Sequence, residues 1–169
     1  MKKKLIGIFI LLYLTGQLSA MDSFFLGLGP EISGHTRSGV AVGGVFSAGL
    51  AINTQFAAGV RASFFSDMDE LTTLEPVAFF RYYLPLQMKG LFAQAEAGGA
   101  FFFEQNETFI SISAGISAGW RYELNQRFYV EPTLRFGYPF MWGAGVIAGI
   151  QIIPGAGLDK PAASQGEEE

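Results

Sequence analysis

Ile110-Ser111-Ile112-Ser113-Ala114-Gly115-Ile116-Ser117-Ala118-Gly119-Trp120-Arg121-Tyr122 decides how this chain folds. Every second residue is oily: Ile110, Ile112, Ala114, Ile116, Ala118, Trp120 and Tyr122. Those between are small or polar: Ser111, Ser113, Gly115, Ser117, Gly119 and Arg121. Successive side chains of a β-strand point to opposite faces, so this period of two predicts a strand with one apolar and one mixed side. Helical spacing at i, i+3, i+4 and i+7 is poor.

Outward from this stretch the same split recurs over residues 40–52, 56–64, 75–84, 91–104, 130–138 and 142–152, with a shorter first strand from about Phe24 to Ile32. Connections fall near 33–39, 53–55, 66–73, 85–90, 105–108, 124–127 and 139–141, which makes eight strands. An even number of strands brings both chain ends out on one side.

The charges settle which face is inside. Within the strands, Glu31, Arg61, Glu75, Arg81, Glu96, Glu104, Arg121, Glu131 and Arg135 all fall on the mixed face, and none falls on the apolar one. A water-soluble barrel has the reverse layout. An apolar exterior facing water is penalised at about 25 cal/mol per Å², whereas lipid favours it. The expectation is all-β: an eight-stranded antiparallel up-and-down transmembrane β-barrel over residues 21–153, closed because an open edge leaves unpaired amides in hydrocarbon.

Eight strands enclose only enough room for side chains, so the interior charges are expected to pair. A turn at 125–127 sets Arg121 opposite Glu131, and a connection near residue 68 sets Arg61 near Glu75. Arg135 is expected to lie over Gly143, Gly145 and Gly149. With the N-terminus periplasmic, the aromatics form two girdles at the lipid interface. Phe64, Phe101, Phe103, Tyr138 and Trp142 lie near the outer rim, and Tyr82, Trp120, Tyr122 and Phe128 near the inner rim.

The beginning of the chain reads as a secretory signal peptide over residues 1–20. Lys2, Lys3 and Lys4 precede the apolar run Leu5 to Leu14 and a small residue at Ala20. The run is too short to span a bilayer as a helix, which takes about 20 residues. Residues 154–169, Pro/Gly/Ala-rich and ending in three glutamates, read as a flexible acidic periplasmic tail. The whole chain carries a net charge of −4, and loss of the lysine-rich leader makes the remainder more acidic, which disfavours nucleic acid as a partner.

Composition narrows the chemistry. With no cysteine, thiol nucleophiles, disulfides and Cys-based metal sites are excluded. The one histidine, His35, excludes a multi-histidine metal site. No cofactor is expected.

The chain resembles the small eight-stranded outer-membrane barrels: the OmpA transmembrane domain, OmpX and OmpW. The stretches Glu75-Pro76-Val77-Ala78-Phe79-Phe80-Arg81-Tyr82-Tyr83 and Glu131-Pro132-Thr133-Leu134-Arg135-Phe136-Gly137-Tyr138-Pro139 look like strand sequences of that superfamily. One departure is the last strand, which ends Ile150-Gln151-Ile152-Ile153 where relatives often end on an aromatic.

The resemblance implies a bacterial outer-membrane protein, surrounded by outer-membrane lipid and placed there by the insertion machinery. Its expected role is structural or surface-exposed, without enzymatic activity, and it would meet an extracellular ligand through its outer loops. The alternative is a narrow channel for small solutes, as in OmpW. A second alternative is a lipid-modifying enzyme using His35 beside Ser33 and Ser38, with Asp67 or Asp69 as the orienting acid. Asp67, Asp69 and Glu70 do not match a calcium loop and read as a solvated acidic turn. Asn106-Glu107-Thr108 fits the glycosylation sequon only as chance matches do.

Overall fold

A computed structural model describes residues 23–35, 39–66, 71–84, 90–104 and 107–152. The expected signal peptide, the acidic tail, Ser38, the acidic cluster at 67–70 and Asn106 lie outside the described residues.

The eight strands are β1 Ser23–His35, β2 Gly39–Ala51, β3 Phe56–Ser66, β4 Leu71–Leu84, β5 Gly90–Glu104, β6 Glu107–Glu123, β7 Phe128–Tyr138 and β8 Phe140–Ile152. Each pairs antiparallel with the next. β8 returns to β1, with Phe24 opposite Ile152 and Leu28 opposite Ala148, which closes the barrel. Closure leaves no sheet edge along the barrel wall.

The strands outrun their expected lengths at the end away from the termini. β1 continues through Ser33 to His35, and β4 begins at Leu71 rather than after residue 73. Thr72 and Thr73 look like loop residues in isolation, but their β-branched side chains suit a strand. They extend the ladder opposite Phe103 and Phe102. Gly39 and Gly90, which open β2 and β5, have φ of 79° and 85°, a region that residues with a Cβ rarely enter.

Sidedness follows the alternation. Leu28, Val60, Ile112, Ile116, Leu134 and Phe136 are exposed on the outer wall, while all the fully buried large side chains point inward. The interior is layered. At the end near the termini, Phe25, Val45, Phe79, Tyr83, Phe92, Tyr129 and Ile147 pack together. At the far end Ala41, Phe65, Ala100, Phe102 and Phe140 form a second cluster, flanked by Leu71 and Phe109. Polar residues fill the space between.

Two connections near the termini share one design. In the first, the Asn53 side chain accepts from the backbone N–H groups of Gln55 and Phe56. In the second, Asn125 accepts from those of Arg127 and Phe128. An asparagine side chain bonding to the backbone two and three residues on fixes a tight turn locally.

Candidate functional site

The interior belt grows from inward-facing positions on neighbouring strands. Among the described residues eight charged ones are buried in it: Glu31, Arg61, Glu75, Arg81, Glu96, Arg121, Glu131 and Arg135. Taking so many ions out of water is costly, and only close pairing with extra hydrogen bonds offsets it.

The half of the belt farther from the termini has three carboxylates and two guanidiniums. Arg61 reaches Glu96 at 2.5 Å, Glu31 at 3.2 Å and Glu75 at 3.8 Å. Arg135 forks onto Glu75, with Nη1 2.6 Å from Oε2 and Nη2 2.7 Å from Oε1, and also donates to Glu31 at 3.1 Å. Serine hydroxyls fill the remaining lone pairs: Ser113 donates to Glu75 at 2.5 Å, Ser117 to Glu96 at 2.9 Å and Ser63 to Glu31 at 3.2 Å.

The half nearer the termini has two guanidiniums and one carboxylate. Arg81 donates to Glu131 at 2.8 Å, and Arg121 makes a very short bond to the same oxygen. Aromatic faces supply the rest of the compensation. The Arg81 Cζ lies 3.9 Å from the Phe92 ring centre, and the Arg121 Cζ lies 4.1 Å from that of Tyr129 and 4.5 Å from that of Phe25. Gln94 joins the halves: its oxygen accepts from Arg81 Nε at 2.7 Å and its amide donates to Glu96 at 2.7 Å. Among the described residues, the buried Ser23 Oγ, Arg121 Nη2 and Tyr129 OH find no hydrogen-bond partner.

Several expectations need correction. Glu104 has the inward parity but is exposed at the end of β5, opposite Glu107, and stands outside the belt. Parity assigns a face, not a depth, and β5 runs on past the packed interior. Of the three glycines, Gly143 is the one that Arg135 lies closest over. A Cβ on Gly143 would press on the Arg135 stem, whereas one on Gly145 would meet Pro30 and Glu31, and one on Gly149 the Tyr129 ring. Ser33 is not a loop residue: it is buried, and its hydroxyl donates to Glu31 at 3.4 Å. His35 is the last residue of β1, paired with Gly39.

Arg121 and Glu131 do meet, as do Arg61 and Glu75, although Arg61 lies closer to Glu96. The nine aromatics expected at the lipid interface all have outward parity. Seven are exposed, and Tyr82 and Phe101 are half-buried. Tyr82 lies tilted beside Phe56 at 5.2 Å, Trp120 lies beside Tyr122 at 6.0 Å, and the Trp142 indole covers Gly34.

Sequence reasoning missed Phe140. By parity it should face outward, yet it is buried against Phe65 at 4.8 Å and Phe102 at 6.4 Å. The pairing of β1 with β8 shifts register between Gly34 and His35, beside Phe140, and the alternation breaks there.

Space decides what this interior can do. The cavity lined by Glu31, Arg61, Arg81, Glu96 and Arg135 measures about 10 Å³, room for a single water. Among the described residues no group of three or more His, Asp or Glu side chains converges as a metal site does.

No protein-family model matches the sequence, and no curated protein matches it. Solved structures match the fold. The N-terminal β-barrel domain of Pseudomonas aeruginosa OprF is 17% identical with a TM-score of 0.55, the match covering 78% of this chain and 98% of that one. Neisserial surface protein A is 16% identical at 0.57, covering 77% and 96%. The Pseudomonas aeruginosa outer membrane protein OprG is 9% identical at 0.62, covering 78% and 96%. At such identities the likeness is one of architecture: a closed eight-stranded antiparallel barrel.

Proposed function

We propose that this chain is an outer-membrane β-barrel of a diderm bacterium, with both termini periplasmic and the far connections at the cell surface. Its role is structural or surface-exposed rather than enzymatic. The carrying observation is the inverted partition: the Glu and Arg side chains of the belt buried inside, and Val60, Ile112, Ile116 and Leu134 exposed outside. Lipid is the solvent in which that partition is the favourable one. The structural neighbours, two of which carry outer-membrane or surface designations, support the reading.

In this reading outer-membrane lipid surrounds the wall, the outer-membrane insertion machinery places it there, and Tyr82, Trp120 and Tyr122 anchor one interface while Phe64, Phe103 and Tyr138 anchor the other. The filled belt between two aromatic clusters argues against the channel alternative. Ser33, turned into the lumen toward Glu31, argues against a lipid-modifying site built with His35.

Cell fractionation with a heat-modifiability gel tests the assignment. The expected result is an outer-membrane band that migrates anomalously in SDS until boiled. Recovery in the soluble periplasmic extract would overturn it.

A further inference from the structure

Cross-strand pairing sets Tyr82 of β4, Ala93 of β5, Ala118 of β6, Leu134 of β7, Ala144 of β8 and Ile32 of β1 side by side in one row around the outer wall. Counted from the end near the termini, Tyr82 is two residues up its strand and Ile32 nine, so the row climbs as it turns. The three alanines leave the wall low, and Leu134, 56% exposed, stands up between two of them. The result is a pair of hollows that share Ala118 and Leu134. One, of about 560 Å³, runs from Phe80 and Tyr82 over Ala93 to Phe136. The other, of about 750 Å³, runs from Trp120 below Leu134, past Pro132 and Ala144, to Ile32.

Both hollows are lined almost wholly by carbon. Each crosses at least three strand spacings, ~14 Å at ~4.8 Å per spacing, close to the ~15 Å of hydrocarbon in one leaflet. Their low ends, at Tyr82 and Trp120, meet the aromatic girdle nearer the termini, so both open at the same interface. Arg127 is exposed in the turn from β6 to β7, below the hollows. Among the described residues it is the only cation outside the belt, and it makes no ion pair there, with Glu123 or any other.

We propose that the two hollows hold the two tails of one diacyl phospholipid, which straddles Leu134 with its phosphate toward Arg127. The inference rests on the membrane reading above, which makes this the periplasmic leaflet. Hydrophobicity does not select the site, since a tail lies in hydrocarbon either way; closeness of packing does. A tail in a hollow meets the wall on several sides, and many small dispersion gains add up. The phosphate supplies the rest, because a cation at the membrane surface attracts it.

The chain has two tryptophans; Trp120 lines a hollow and Trp142 lines neither. Full chains carrying Trp142→Phe or Trp120→Phe therefore report one place each. They are folded in micelles of an uncharged single-chain detergent and titrated with phosphatidylglycerol brominated on its tails, which quenches tryptophan. Diacylglycerol with the same brominated tails is the comparison. Trp120 is expected to be half-quenched at a phosphatidylglycerol fraction about fivefold lower than Trp142, and diacylglycerol is expected to need about fivefold more than phosphatidylglycerol at Trp120. Ala118→Phe fills both hollows from the lipid face. It is expected to stay heat-modifiable and to abolish the difference between the reporters, whereas Arg127→Gln abolishes the preference for the phosphate-bearing lipid.

Equal quenching of the two reporters, or a Trp120 preference that survives Ala118→Phe, overturns the site. A preference for phosphatidylglycerol that survives Arg127→Gln overturns the phosphate contact. A Trp120 shielded from both lipids in a chain that sediments as a dimer gives the face to a second copy and overturns the proposal too. A native chain with no heat-modifiable form overturns the membrane reading and this inference with it.

Discussion

Arg135 of β7 and Glu75 of β4 meet across the lumen in a two-pronged ion pair, with N···O separations of 2.6 and 2.7 Å. The strands that carry them are not neighbours in the sheet, so the pair ties opposite walls together where no backbone ladder does. It also gives the interior a geometric test.

Removing one prong-bearing partner strands the other. Arg135→Ala leaves the fully buried Glu75 with only Arg61 at 3.8 Å and the Ser113 hydroxyl. The expected loss of stability is about 3–5 kcal/mol. Combining it with Glu75→Gln is expected to recover part of that loss, because the uncompensated charge is gone. Urea unfolding in lipid vesicles measures both; equal stability of Arg135→Ala and the native chain would contradict the pairing.

Gly143 tests the same pair from beneath. A Cβ there would lie 2.6 Å from Arg135 Cγ and 2.8 Å from its Cδ, so Gly143→Ala must push the arginine stem off its track. Overpacking of this kind costs about 1–3 kcal/mol. The substitution is expected to cost less when made on top of Arg135→Ala, which leaves only the Ser33 hydroxyl 2.9 Å from the new Cβ, and a double-mutant cycle reads that coupling.

Depth in the bilayer separates two isoleucines of one strand. Ile116 lies on the outer wall within the paired part of the barrel, whereas Ile110 lies beyond the last β6–β7 pair. Ile116→Arg is expected to cost about 2–4 kcal/mol of folding into vesicles and Ile110→Arg about 0–1 kcal/mol. Similar penalties at both positions would place the membrane boundary wrongly.

The aromatic clusters and the ionic belt block the lumen independently. In planar bilayers the native chain is expected to pass no steady current. Phe102→Ala with Phe140→Ala opens one cluster at a cost of about 3–5 kcal/mol each, yet the belt still leaves only about 10 Å³, so the double variant is expected to stay silent. Ohmic steps from the native chain would revive the channel reading.

Much of this was legible before any coordinates, because a strand's period of two is blind to everything but parity. Parity alone assigned the inward and outward sets of Ile110 to Tyr122 and put Arg121 and Glu131 on the same face. It failed where depth or irregularity intervenes. Glu104 shares the parity of Glu96 but lies beyond the packing, and Phe140 sits beside a register shift that reverses its side. The distance by which β6 outruns its pairing with β7 could not be read either, since it depends on how far β7 climbs before the chain turns. Gln94 looked like one more polar residue, and only the distances to Arg81 and Glu96 give it a role.

The matching asparagine turns have a consequence for assembly. Asn53 and Asn125 close the β2–β3 and β6–β7 hairpins, which stand half a circumference apart, through side-chain bonds to their own few residues, and in each the following strand adds one backbone bond, from Tyr83 N–H to the Gln55 carbonyl and from Gln151 N–H to the Arg127 carbonyl. The asparagine bonds can form before the neighbouring strand arrives, and the bond from that strand then locks each turn to the wall. Each hairpin is a prefabricated stave, and the wall can be built by lining up such staves rather than by threading single strands.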